Sequence, residues 1–167
     1  MDEELKIEML SGTAAGKPDD NYIDETEDMM ELEFTLEFLE FLENHNGGVP
    51  VKKYFKLGAN TKVVERFLCI YADFEDNSEF GQTDIGVVWT QIEDRLSEFQ
   101  MPFASVYAGD FLCFDFEPAD EPTIVLWVHD QSYEDHPVTI PIADNFKEFL
   151  KMLTDDPGEM PDNFDEE

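Results

Sequence analysis

The clearest amphipathic pattern in the chain lies at its end of the first third, where Phe38, Leu39, Phe41 and Leu42 fall at helical spacing and Glu37, Glu40 and Glu43 take the opposite face. Asn46-Gly47-Gly48 follows at once. These residues tolerate positive φ, so the pattern predicts a helix that is capped and turned sharply at the double glycine. Upstream, Asp24 with Glu27 three residues on predicts a helix start near Asp24. Residues 30–34 alternate apolar and acidic with period two, yet the flanking spacing is helical, which makes them a helix-to-helix junction. Downstream, 49–57 and 63–71 read as strands, the second built on Val63, Val64, Phe67, Cys69 and Ile70. A helix is predicted over 84–99, with Ile85, Val88, Trp89, Ile92 and Leu96 along one face and Pro102 stopping it. The runs 111–116 and 123–129 have strand length, and 117–122, with two prolines, separates them as a loop. A last helix is predicted over 144–153. The fold class is therefore α+β, a central and mostly antiparallel sheet covered by helices.

At 167 residues, 42% hydrophobic and with fifteen Phe, the chain has the size and content of one domain with a real core. Charge changes the picture. There are 41 acids against 10 bases, a formal −31, which favours solubility and fast capture of basic partners. It excludes nucleic acid and anionic lipid as direct ligands, because both need Lys and Arg against phosphate. The distribution is uneven. Between Asn44 and Val64 there is no acid, and Lys52, Lys53, Lys56 and Lys62 sit there. Between Phe67 and Phe146 seventeen acids face one base, Arg95. The N-terminal Met1-Asp2-Glu3-Glu4 has no basic region followed by an apolar core, and no run has the length of a membrane span, so a cytoplasmic protein is expected.

Candidate chemistry is sparse. His45, His129 and His136 lack the spacing of a zinc site. Ser132 lies near His129 and Asp130 in sequence, but no nucleophile elbow is present and a triad is assembled by geometry. The segment 73–79 resembles the opening of a calcium loop, but Ser78 stands where the turn needs Gly, and Asp84 where the loop ends in Glu. Cys69 and Cys113 lie in apolar runs and read as core, with no spacing that supports a disulfide. No cofactor or metal is expected, and the residues point to no enzyme. Trp89 and Trp127 are candidates for interface anchors, set against the commoner role of tryptophan in a core.

Four segments taken in order resemble a known family. Glu27, Met30 and Phe34 keep the spacing of its first helix, and Phe38–Gly48, with Phe41, Asn46, Gly47 and Gly48, resembles its second. Met101-Pro102-Phe103-Ala104 and Gly109-Asp110 with the strand that follows resemble its central segment. Val125, Trp127, His129 and Asp130 resemble the next strand, and 142–153 the closing helix. On these residues the chain resembles the SUKH superfamily, the Smi/Knr-like domains common among bacterial immunity proteins. Phe34-Thr35 departs from the family's Leu-Pro. The resemblance covers about 21–154. It leaves 1–20 as an N-terminal extension and 155–167, with seven acids, as a tail expected to be disordered.

The resemblance implies a non-enzymatic protein that binds and blocks a toxin domain. The charge adds that the partner is basic, as the nucleic-acid groove of a nuclease is. A cytoplasmic scaffold or regulatory module is the alternative, since related domains also serve in cell-wall signalling. Two acidic clusters in connecting segments are the candidate contacts: Asp73, Glu75, Asp76 and Glu79, and Asp130, Glu134 and Asp135. Phe41, Asn46, Gly47, Gly48, Gly109, Asp110 and Trp127 read as scaffold, with Asp110 expected to bond its local backbone.

Overall fold

A computed structural model describes residues 3–72, 79–117 and 121–158. Its centre is one six-stranded sheet in the order β1-β2-β3-β4-β5-β6, every neighbouring pair antiparallel. The strands are β1 (Tyr54–Leu57), β2 (Asn60–Phe67), β3 (Gln100–Val106), β4 (Asp110–Asp115), β5 (Thr123–Trp127) and β6 (Thr139–Ala143). The helices are α1 (Asp20–Met30), α2 (Leu36–Asn44), the short α3 (Glu79–Gln82), α4 (Ile85–Ile92) and α5 (Phe146–Met152). The expected α+β architecture stands, and its sheet is a pure meander.

The first two helices are set by their caps. Asp19 accepts from the Tyr22 amide at 3.1 Å, so α1 starts earlier than the expected Asp24. Glu27, expected to close a capping box, instead accepts from the Phe34 amide at 2.7 Å and so pins the junction. Glu31 ends α1 in the left-handed region at φ 58°, and Thr35 caps α2 through the Phe38 amide. The departure from Leu-Pro therefore keeps the break between the helices, since a capping hydroxyl replaces the proline.

α2 buries Phe38, Phe41 and Leu42, each worth about 2–3 kcal/mol on removal from water. Phe38 and Phe41 join Phe67, Phe103, Phe114 and Phe146 in one aromatic cluster, with ring centroids 4.6–6.2 Å apart. Ile124, Val125, Leu126 and Trp127 are all buried, so β5 is covered on both faces rather than one.

Two strands were not expected. β3 carries Pro102 in mid-strand, where a proline removes a ladder donor. The register shift between Pro102 and Ala104 is the bulge that accommodates it. β6, Thr-Ile-Pro-Ile-Ala, is a partly exposed edge strand with its own proline. The helix expected over 84–99 ends at Ile92. A 3₁₀ turn, Glu93–Arg95, follows, and Leu96 is extended. Strand 63–71 stops at Phe67, and strand 49–57 begins only at Tyr54.

The segment before α1 lies against this frame. Leu5 is buried, Glu4 meets Lys151 at 2.9 Å, and the Leu10 amide donates to the Val49 carbonyl. Of the expected tail, residues 155–158 are described. Just before them Thr154 pairs with Tyr54 at the edge of β1, and the Pro157 carbonyl accepts from Thr61. Residues 159–167 lie outside the described residues.

Asp84 is a buried carboxylate with no exposed surface. Oδ2 accepts from the Tyr22 hydroxyl at 2.8 Å and the Val87 amide at 3.0 Å, and Oδ1 from the Tyr71 amide at 2.8 Å. One side chain thus caps α4, holds α1 to it and ties down the chain leaving β2. Asp84→Ala is expected to cost about 3 kcal/mol in urea unfolding, because a cap is lost and buried donors are orphaned.

Burial raises the Asp84 pKa above its ordinary value, although its hydrogen bonds oppose the shift. A raised acid contributes its stability below its unfolded pKa and loses that contribution as pH rises through the folded value. The wild type is therefore expected to gain on Asp84→Asn as pH falls from neutral towards the ordinary carboxylate range. Denaturation midpoints of the pair across that window check the sign.

Candidate partner-binding surface

The Asn46-Gly47-Gly48 turn locks the end of α2 to the end of β2. Asn46 is buried; its Nδ2 donates to the Gly16 and Ile70 carbonyls, and its Oδ1 accepts from the Ile70 amide at 2.8 Å. Gly47 and Gly48 both hold positive φ, 78° and 120°, and Gly48 pairs with Phe67. Phe41, one turn before them, is buried as well.

Gly109 and Asp110 have a longer reach than expected. Asp110 Oδ1 does not bond its own turn; it accepts from the amide of His129, beyond the end of β5, and lies 2.8 Å from His129 Nδ1. A Cβ on Gly109, at φ 97°, would stand 3.2 Å from that ring. The pair fixes the point where the loop after β5 departs.

This arrangement disposes of the triad reading. The carboxylate beside His129 is Asp110 and not Asp130, while the Ser132 hydroxyl accepts from the Val138 amide at 2.8 Å and closes the loop base. Trp127 is fully buried; its Nε1 donates to the Arg95 carbonyl at 2.9 Å, and the Arg95 guanidinium lies 5.0 Å from its ring. It is core, not an anchor. Cys69 and Cys113 are buried free thiols; burial pushes Cys69 up to about 11 and Cys113 upward as well, so both stay protonated. Among the described residues no group of three or more His, Cys, Asp or Glu is placed to hold a metal ion.

Of the first acidic cluster, Asp73, Glu75 and Asp76 lie outside the described residues, as does most of the loop compared with a calcium site. Glu79 opens α3. The second cluster is fully described. Asp130, Glu134 and Asp135 are all exposed on the loop between β5 and β6. Tyr133 and His136 exchange backbone hydrogen bonds and stack their rings at 4.5 Å, which presents Glu134 and Asp135 at the tip. Asp135 takes the left-handed region at φ 62°, and its amide donates to the Asp94 carbonyl at 2.9 Å.

That last bond creates the site. It draws the loop against the 3₁₀ turn after α4 and forms an open groove of about 490 Å³. Glu93, Asp94, Glu98 and Asp135 line it, with Trp89, Leu96 and Pro137 as its apolar part. Glu93, Asp94 and Glu98 are exposed and Trp89 half-buried. Among the described residues no basic side chain lines it. The arrangement suits a cationic surface: carboxylates for Lys or Arg, and an aromatic face for a guanidinium or an alkyl stem. Sequence reasoning named Asp135 and Trp89 but missed Glu93, Asp94 and Glu98, which it had placed inside a longer helix.

The sheet order sets a lysine-rich edge opposite the β5–β6 loop, and Glu3, Glu4 and Glu8 share a hollow with Lys52 there. Lys52, Lys53, Lys56 and Lys62 sit at the β1–β2 hairpin, at the far edge from β6. With strands about 4.8 Å apart, the two edges lie on the order of 24 Å from each other. No helix among the described residues is long and apolar enough to cross a membrane. The SUKH_6 family model, described as SMI1-KNR4 cell-wall, matches residues 20–150. No curated protein matches the chain.

Proposed function

From the premise that the chain belongs to the SUKH superfamily, with the SMI1-KNR4 match running through most of its length, we propose that it is an immunity protein that binds a cognate toxin domain and blocks it. The partner is a basic nuclease domain, and the mechanism is occlusion rather than catalysis. Carboxylates of this chain take the positions that substrate phosphates occupy, which both steers association and excludes the nucleic acid. One observation carries this reading: Glu93, Asp94, Glu98 and Asp135 converge on a single groove with no base in its lining among the described residues. Asp130 and Glu134 extend the same face, and Asp73, Glu75, Asp76 and Glu79 are a second candidate contact.

Co-expression with the product of the adjacent reading frame tests the proposal. A stable complex and loss of that product's nuclease activity are expected, with no nuclease, phosphatase or peptidase turnover by this chain alone. Turnover that co-purifies with the chain and vanishes on changing one carboxylate or His129 would overturn it. The matched SMI1-KNR4 cell-wall family favours a second reading, a cytoplasmic scaffold or regulatory module. Recovery of a housekeeping partner instead of a toxin would select it.

A further inference from the structure

The packing of α1 against α4 leaves a second depression, an open slot of about 250 Å³. α1 contributes Tyr22, Glu25, Thr26 and Met29, spaced by three and four residues and therefore one stripe along the helix. α4 contributes Gly86, Val87 and Thr90. The slot stays open because position 86 has no side chain: a Cβ there would stand 3.2 Å from both Met29 Cε and Asp84 Oδ2. Its base is rigid, since Tyr22 is held at 2.8 Å by the buried Asp84. Its outer wall is adaptable. Met29 is 44% exposed, and an unbranched thioether adjusts to the shape of what it meets.

One carboxylate, the exposed Glu25, lines the slot, and the α1 helix that forms its wall carries five acids and no base. An apolar slot in such a helix matches a partner that carries one apolar side chain among cations. We propose that this slot is the anchor point for a basic amphipathic helix of the partner. One side chain of Leu, Met or Phe size enters between Met29 and Val87, and a Lys or Arg one helical turn away meets Glu25 at the slot's edge. The inference rests on the partner-binding reading and adds a second contact beside the first. Both depressions border α4, with Val87 and Thr90 lining the slot and Trp89 the acidic groove.

Two synthetic helical peptides with identical Lys and Arg content, one with a central Leu and one with Ser there, are the probes. Titrated into the isotope-labelled full chain, the Leu peptide is expected to move the Gly86, Val87 and Thr90 amide and Met29 methyl resonances. It should bind at least ten-fold more tightly than the Ser peptide. Met29→Lys and Thr90→Trp, both at exposed positions, should weaken the Leu peptide at least ten-fold without changing the melting temperature. Equal affinity for the two peptides, shifts confined to Trp89, Asp94 and Asp135, or variants that bind as the wild type does would overturn the slot. The same variants against the cognate toxin domain separate the two readings. A toxin that binds wild type and both variants equally overturns the slot and keeps the partner. Leu-dependent peptide binding with no toxin bound keeps the slot and overturns the toxin.

Discussion

Gly47→Val is expected to remove about 3–5 kcal/mol of stability, combining backbone strain with overpacking in a buried site. At φ 78° a β-branched residue is strained whatever the space around it. Space is also lacking. A Cβ would stand 2.8 Å from Cys69 Cβ and 3.1 Å from the Phe67 carbonyl oxygen, and both belong to packed, buried chain. Relief requires α2 to move away from β2. That movement breaks the Gly48–Phe67 pairing and pulls Asn46 off Ile70. Gly48→Val meets the softer Thr13 Oγ1 at 3.2 Å and Met9 Cγ at 3.4 Å, so its loss should be smaller, about 1–3 kcal/mol from strain alone. Urea midpoints of the two variants, with Gly47→Ala separating strain from bulk, decide the matter. Equal losses at the two positions would mean that contact with Cys69 is not what makes Gly47 indispensable.

The double glycine was legible because local chemistry alone accounts for it: an amphipathic stripe ends, and residues suited to positive φ follow. Asn46 was legible as a motif, but its three bonds to Gly16 and Ile70 were not, since nothing local ties those positions together. β3 was hidden by Pro102, which argues against a strand unless a bulge is known to be there. β6 was hidden by its exposed edge position, where burial no longer enforces alternation. The helix over 84–99 was overextended because Leu96 keeps helical spacing with Ile92 although its backbone is extended. Asp84 looked like one acid among forty-one, and only its burial distinguishes it. The groove was half legible. Loop acids are natural candidates for contact, and Asp135 followed from that rule. Its partners sit in a segment far away in sequence, brought near by one backbone bond from Asp135 to Asp94. No periodicity encodes such a bond.

Neutralising the groove is expected to slow capture of the cognate toxin domain ten-fold or more, with the fold unharmed. The combined variant is Glu93→Gln, Asp94→Asn, Glu98→Gln and Asp135→Asn. Asn suits position 135 because it tolerates the left-handed conformation at φ 62°, and the Asp94 carbonyl that accepts its amide is unchanged. Removing like charges from a chain of formal charge −31 relieves self-repulsion, so the melting temperature should hold or rise. Steering contributes chiefly to association: steered pairs reach about 10⁸–10⁹ M⁻¹s⁻¹ at low salt, against roughly 10⁵–10⁶ without it. With a Debye length of about 8 Å at physiological ionic strength, salt should slow the wild type steeply and the variant much less. Stopped-flow association at several ionic strengths reads both quantities. Neutralising Asp130 and Glu134 instead should give a smaller change of the same sign, because they flank the groove without lining it. Unchanged on-rates and salt slopes in both variants would move the interface to the far edge of the sheet. There Lys52, Lys53, Lys56 and Lys62 lie in the stretch without acids in its sequence, and a contact made by them calls for an acidic partner in place of a basic one.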